Sequence, residues 1–127
     1  MTASVLITGG ANGIGLASAK AFHRQGYRVA IADLDAAAAS AAAQSLGERA
    51  MGVELDVRDR QSTQQAFDAV LARFGQIDVV HANAGVSSMR SAVDISDADW
   101  DFNFDVNAKG VFLTNQCAVR YFLKAGI

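Results

Sequence analysis

Residues 4–15 of the sequence read SVLITGGANGIG, and the rest of the chain is arranged around this stretch. The apolar run at 5–7 predicts a short buried strand, and a helical pattern begins directly after the glycine cluster. Glycines let a backbone turn sharply and approach a ligand closely, while the free N–H groups of a helix N-terminus attract an anion. The glycines expected to form this turn are Gly9, Gly13 and Gly15. Taken alone, the turn fits a phosphate-binding site and a strand-to-helix turn that binds nothing equally well.

The pattern of a strand followed by a helix recurs along the whole chain. Further strands are predicted at 27–32, 49–57 and 77–82, and helices at 14–25, 36–46 and 60–74 and from a Ser96 cap to about Lys124. This βαβαβαβα order predicts an α/β fold with a doubly wound parallel sheet and helices on both faces. Because no linker or repeat is visible, residues 1–127 are expected to form a single domain.

The composition is that of a folded protein without a nucleic-acid or membrane signature. Hydrophobic residues make up 51% of the 127 residues and charged residues 19%, and the net charge is −2 without any basic run. No membrane span or signal peptide is visible, and the single cysteine, Cys117, fits a reducing compartment. The two histidines and this cysteine lack the spacing of metal ligands. We therefore expect a cytoplasmic protein with no metal site and no nucleic-acid or membrane partner.

Polar residues close three of the predicted strands and converge on the glycine turn. In a parallel sheet, ligands bind beyond the carboxyl ends of the strands, which is where Asp33, Asp56 and Asn83 are placed. The Asp33 carboxylate could accept hydrogen bonds from both ribose hydroxyls of an adenosine and would repel a 2′-phosphate. Because no arginine adjoins Asp33, the sequence favours NAD over NADP. In the other interpretation Asp33 is the N-cap of the next helix, a role that Asp35 could also fill.

The other strand ends and the last helix each offer a further candidate. Asp56 could accept a hydrogen bond from an adenine amino group while Val57 packs on the ring, or it could cap the following helix. The small residues after Asn83 let a cofactor lie against the backbone, and the Asn83 amide could tie neighbouring strand ends together. Asn107 lies within the last helix, where a buried asparagine requires a partner or marks a kink with an ordered water, favoured by Gly110.

Together these motifs resemble those of the short-chain dehydrogenase/reductase family over the whole chain. Residues 8–15 are similar to its TGxxxGxG cofactor turn, and Asp33 is similar to the acidic residue of its NAD-preferring members. Asp56 and Val57 resemble its adenine-contacting pair. The resemblance implies a Rossmann-like sheet with NAD as the cofactor, bound by Thr8, Gly9, Asn12, Gly13, Ile14, Gly15, Asp33, Leu34, Asp56, Val57, Asn83, Ala84 and Gly85.

Two further motifs relate to the chemistry of that family, which is hydride transfer to or from an alcohol or a ketone. Residues 82–85 resemble its NNAG motif with Ala82 in place of the first asparagine, and Asn107 takes the position of its fourth catalytic residue. The family also uses a serine on its fifth strand and a Tyr-x-x-x-Lys pair on its fifth helix, elements that are not among those predicted here. Tyr121 and Lys124 do not form such a pair, because they are three positions apart instead of four. We therefore expect a truncated three-layer sandwich, the N-terminal cofactor-binding half of such an oxidoreductase, inactive alone.

A half of this kind would leave two surfaces without a partner. The strand edge at 77–82 would be open, and the last helix, at about 96–124, is apolar nearly all round and would lose the cover of one side. We therefore expect a homo-oligomer that uses one of these surfaces. Two other functions stay open on the sequence: a non-catalytic NAD or adenine-nucleotide-binding module, and a self-associating remnant that binds nothing.

Overall fold

The computed structural model describes residues 2–127 as strands and helices in regular alternation. In chain order the elements are β1 (Ser4–Thr8), α1 (Gly13–Arg24), β2 (Arg28–Asp33), α2 (Ala36–Leu46), β3 (Ala50–Glu54), α3 (Arg60–Phe74), β4 (Val79–His81), α4 (Asp97–Phe104), a π-helical segment (Asp105–Lys109) and α5 (Gly110–Ala125).

The four strands form one parallel sheet in the order β3-β2-β1-β4. Ile7 of β1 lies opposite Ile31 of β2 and His81 of β4, so the carboxyl ends of these strands reach one common edge. The chain adds β2 and β3 on one side of β1 and then returns to add β4 on the other side. The strand order therefore reverses at β1. The predicted doubly wound parallel sheet is confirmed.

Both faces of the sheet are buried under helices, which gives three layers. Alternate residues of a strand point to opposite faces. Val5 and Ile7 pack with alanines of α1 and α2, whereas Leu6 packs on the other face with Phe67 and Val70 of α3. The alanine-rich helix α2 lies close to the sheet. The approach also depends on Gly52 of β3, because a Cβ atom there would come within 2.6 Å of the α2 backbone.

The last predicted helix differs most from its expectation. It begins as predicted at Ser96, which forms a capping box with Asp99, and it ends before Gly126. It is not continuous, because the π-helical segment at Asp105–Lys109 interrupts it. Within residues 2–127, α4 contains no buried residue and α5 buries one side only, which agrees with the expectation that one side of this helix lacks cover. No helix in residues 2–127 is long and apolar enough to cross a membrane.

Two predicted strands are shorter than expected. The strand predicted at 49–57 spans Ala50–Glu54, and the strand predicted at 77–82 spans Val79–His81. At the carboxyl end of β4 the ladder gives way to a tight turn, in which the Asn83 N–H donates to the carbonyl oxygen of His81 at 2.9 Å. His81 is half-buried in this strand. The turns that follow the shortened strands supply part of the candidate site.

Candidate functional site

The glycine turn is fastened to the end of β4 by two polar side chains. The hydroxyl oxygen of Thr8 accepts hydrogen bonds from the backbone N–H groups of Asn83 and Ala84, both at 3.0 Å. In return, Nδ2 of Asn83 donates to the carbonyl oxygens of Thr8 at 3.2 Å and Gly9 at 3.3 Å. The predicted tie between strand ends is therefore confirmed, and it joins the first strand to the fourth.

Close packing at this junction requires two of the three glycines. Gly9 has a φ of +63°, and a Cβ atom there would lie 2.8 Å from Cα of Ala84. Gly15 is buried at the start of α1, where a Cβ atom would collide with the carbonyl oxygen of Gly9 and lie 2.6 Å from Nδ2 of Asn83. Packing therefore accounts for glycine at positions 9 and 15, independently of any ligand.

The N-terminus of α1 has no side-chain cap. Asn12 is its N-cap residue and makes no capping hydrogen bond. In contrast, Asp35, Asp59 and Ser96 each accept a backbone N–H at the starts of α2, α3 and α4. The first N–H groups of a helix have no partner within the helix, so those of α1 are available to a ligand of negative charge. This chemistry fits a phosphate or pyrophosphate group.

A cavity of about 640 Å³ lies beyond the carboxyl ends of the strands, beside this helix N-terminus. The residues predicted from the sequence to contact a cofactor line it, except Thr8 and Gly15, which are buried beneath the turn. The predicted residues that it brings together are Gly9, Asn12, Gly13, Ile14, Asp33, Leu34, Asp56, Val57, Asn83, Ala84 and Gly85. Sequence reasoning missed six further lining residues, namely Asp35, Leu55, Arg58, Val86, Phe102 and Val106.

Asp33 supports the glycine turn and also faces the cavity. Its Oδ2 accepts the N–H of Ala11 at 3.2 Å, and its Oδ1 accepts the N–H of Asp35 at 3.1 Å. The cap of α2 is Asp35, whose Oδ1 accepts the N–H of Ala38 at 3.0 Å, so Asp33 is not the capping residue. Because each carboxylate oxygen can accept about two hydrogen bonds, both oxygens of Asp33 retain capacity for a ligand.

Asp56 pairs with a residue that the sequence analysis overlooked. Its Oδ1 accepts the backbone N–H and the Nε–H of Arg58, at 3.0 Å and 2.9 Å, and its Oδ2 accepts Nη2 at 2.8 Å. Asp59, not Asp56, caps α3. The hydrogen bonds from Arg58 hold the pKa of the Asp56 carboxyl below its ordinary value. The sequence does place a basic residue, Arg58, two positions after Asp56, and this spacing could have indicated the ion pair.

Asn107 lies in the π-helical segment and holds the chain that leaves β4. Its Oδ1 accepts the N–H of Val86 and its Nδ2 donates to the carbonyl oxygen of Val86, both at 2.8 Å. The side chain has the partner that its position required, but the expectation that it is buried is wrong, because Asn107 is exposed. It does not line the cavity, although the residue that it holds does. The expected kink takes the form of the π-helical segment.

Within residues 2–127, neither a tyrosine–lysine pair nor a group of metal ligands lies at the cavity. The hydroxyl oxygen of Tyr121 accepts the N–H of Ile77 at 3.2 Å, and its ring packs in the core below α3. This contact gives Tyr121 a structural role and leaves the Tyr121 and Lys124 pair without a place in the cavity. In residues 2–127, no three His, Cys, Asp or Glu side chains are grouped as metal ligands.

Comparisons with known proteins match the chain along nearly its whole length. A family model described as short chain dehydrogenase matches residues 3–126. The chain is 44% identical over 124 residues to D-threitol dehydrogenase of Mycolicibacterium smegmatis and 37% identical over 123 residues to sorbitol dehydrogenase of Cereibacter sphaeroides. These alignments cover 95% and 97% of this chain, but 48% of each relative. The chain thus spans about half the length of the curated relatives it matches.

Solved structures give the same result. A 3-ketoacyl-(acyl-carrier-protein) reductase from Brucella melitensis, complexed with NADH, superposes with a TM-score of 0.92 at 31% identity. A short-chain type dehydrogenase/reductase from Mycobacterium marinum superposes with a TM-score of 0.92 at 30% identity. Each superposition covers 98% of this chain and 52% of the other.

The packing at the turn predicts that Gly15→Ala lowers the free energy of unfolding by about 2–3 kcal/mol, because the new methyl group would collide with the carbonyl oxygen of Gly9 and with Nδ2 of Asn83. Urea denaturation followed by circular dichroism measures this loss. The matched control is Ala17→Ser, which adds one atom at an exposed position of the same helix and should change the free energy by less than about 0.5 kcal/mol. Equal stability of the two variants would contradict the packing described for Gly15.

Proposed function

The chain belongs to the short-chain dehydrogenase family, and we propose that it binds NAD(H) as the cofactor-binding half of an alcohol or ketone oxidoreductase. The observation that carries this proposal is the cavity that joins an uncapped helix N-terminus to the Asp33 carboxylate. The first feature suits a pyrophosphate and the second suits an adenosine ribose.

In this proposal the pyrophosphate lies at the glycine turn. The N–H groups that begin α1 donate to the pyrophosphate oxygens. The space beside Gly13 is open to the pyrophosphate, since a Cβ atom built there meets no atom within 4 Å. Asn12 and Ile14 form the rim of the turn on the cavity side. Thr8 and Gly15 act from beneath, Thr8 by its bonds to the β4 end and Gly15 by close packing.

The adenosine end is assigned to the ends of β2 and β3. Asp33 accepts hydrogen bonds from the two ribose hydroxyls, and its charge disfavours the 2′-phosphate of NADP. Leu34, which is 57% exposed, and Val57 offer apolar contact to the sugar and the base. Asp56 accepts a hydrogen bond from the adenine amino group. These assignments make NAD the preferred cofactor.

The nicotinamide end is assigned to the end of β4. NAD supplies the hydride acceptor when it is bound. Asn83, Ala84 and Gly85 give this part of the cavity a wall of small residues along the backbone. Both polar atoms of the Asn107 side chain bond to the backbone of Val86. We therefore assign Asn107 the role of positioning Val86, which lines the cavity.

A small polyol, or the ketone derived from it, is the substrate class that we propose for the whole enzyme. Relatives named for D-threitol, sorbitol and galactitol oxidation support this class. Proton exchange with such a substrate requires a general acid or base beside the cofactor. Because the sequence contains no Tyr-x-x-x-Lys motif, we propose that residues 1–127 alone bind the cofactor without turnover.

Self-association is the second part of the proposal. Large apolar side chains of α4 and α5 face solvent, with exposed fractions of 56% for Trp100, 51% for Phe104, 55% for Phe112, 52% for Val119 and 77% for Leu123. Within residues 2–127, β4 pairs with β1 alone and leaves its other edge free. Unpaired strand edges and large exposed apolar patches favour association. We assign a homo-oligomer contact to the helical surface at 96–124 or to the strand edge at 77–82.

Cofactor preference is tested by calorimetry with NAD and NADP. The unchanged chain should bind NAD more tightly than NADP, and Asp33→Asn should weaken NAD binding about tenfold, because charge-assisted hydrogen bonds to the ribose are lost. Asparagine keeps one oxygen for the N–H of Ala11 but gives up the bond to the N–H of Asp35, so the melting temperature of the variant is compared with that of the unchanged chain. The matched control is Asp68→Asn on the exposed side of α3, which should leave both affinities unchanged. Equal affinity for NAD in the two variants would overturn the role of Asp33.

Association is tested by sedimentation velocity at micromolar concentration. The unchanged chain should sediment as a dimer or a larger species, and Phe112→Glu combined with Val119→Glu should convert it to a monomer, because two charges enter the apolar surface. Ala37→Glu combined with Ala41→Glu places two charges on exposed positions of α2 and serves as the control. An oligomer that survives the α5 changes would exclude the α5 part of the helical surface as the contact and leave α4 or the β4 edge. A monomer of the unchanged chain would contradict the proposal.

A further inference from the structure

Arg58 connects two sides of the cavity that is assigned to the cofactor. It follows β3 and lines the cavity together with Asp56, and its guanidinium carbon lies 5.4 Å from the ring centroid of Phe102 in α4. The backbone of Arg58 also contributes, because its N–H bonds the same carboxylate as its side chain. Arg58 is therefore held both at its backbone N–H and at its guanidinium group.

The pairing leaves the Asp56 carboxylate with one free acceptor position. Oδ1 accepts two N–H groups of Arg58, and Oδ2 accepts one. A carboxylate oxygen offers about two acceptor sites, so Oδ1 is filled and Oδ2 retains one. Since the fork of a guanidinium fixes the plane of a carboxylate, the remaining acceptor has a fixed direction.

The Arg58 side chain is in turn braced by its surroundings. The aromatic face of Phe102 attracts the guanidinium. The hydrogen bond to Asp56 is the main cause of a raised pKa for Arg58, and the charge of Asp105 in the π-helical segment adds to it. Because arginine keeps its charge at every accessible pH, the geometry of its hydrogen bonds and of the Phe102 contact is what lets Arg58 support Asp56.

We propose that Arg58 is a specificity-determining positioning residue, which orients Asp56 so that the cavity prefers a purine bearing an exocyclic amine to one bearing an exocyclic carbonyl. The proposal rests on the NAD-binding function proposed above. An amino group at the 6-position donates to the free acceptor of Oδ2, whereas a carbonyl oxygen at that position would face the carboxylate and be repelled. Arg58 thus acts on the choice of base through Asp56.

The test compares the dissociation constants of NAD and of nicotinamide hypoxanthine dinucleotide, in which the 6-amino group is replaced by a carbonyl. In the unchanged chain NAD should bind about tenfold more tightly, the difference expected for one hydrogen bond to a charged acceptor. Arg58→Ala should reduce this ratio to less than about threefold, because Asp56 loses its fixed direction. Arg58→Lys retains the cation without the fork and should give an intermediate ratio.

The ratio separates a role in base choice from general damage, since a distorted cavity would weaken both dinucleotides alike. Arg60→Ala removes a neighbouring exposed arginine outside the cavity and should leave the ratio at its original value. An unreduced ratio in Arg58→Ala, with NAD still bound, would overturn the role of Arg58 while leaving the proposed function intact. Failure of the unchanged chain to bind NAD would overturn the proposed function and the role of Arg58 together.

Discussion

The contact between the end of β1 and the end of β4 is the constraint on which the rest of the site depends. Thr8 and Asn83 exchange hydrogen bonds across it, and the Asn83 amide also holds the carbonyl oxygen of Gly9. Gly15 packs against that same carbonyl group, so α1 can start only where the turn is this tight. One polar junction therefore ties together the ends of β1 and β4, the path of the glycine turn and the position of a helix N-terminus.

The junction brings groups from four strand ends to one cavity. The turn directs the uncapped start of α1 toward it, Asp33 holds the turn through Ala11, and Asn107 holds the chain after β4 through Val86. In the cases of Asp33 and Asn107, a side chain with a structural hydrogen bond also places a wall of the cavity. This double use explains why the predicted residues converge, and why changes to them must be conservative if binding is to be separated from stability.

The fold and part of the cavity follow from local sequence rules. Glycine placement, the alternation of strand and helix, and acidic or amide residues at strand ends were sufficient to predict the parallel sheet and part of the lining, whereas Asn12, Ile14 and Leu34 were added by the family resemblance. Arg58 was not predicted, because its pairing with Asp56 depends on the conformation of the loop between β3 and α3. The π-helical segment was anticipated only as a kink, since helix periodicity alone does not reveal that Asn107 faces outward and bonds to Val86.

The central claim is that NAD binds with its pyrophosphate at the start of α1 and its ribose at Asp33. A titration of the ¹⁵N-labelled chain with NAD, followed by two-dimensional NMR, tests this placement directly. The largest changes in amide shift should occur at Gly13, Ile14 and Gly15 and in the segment from Asp33 to Asp35. Changes confined to the groove between α3 and α5, which Gln64 and Cys117 line, would contradict it. A spectrum that NAD leaves unchanged would also contradict it.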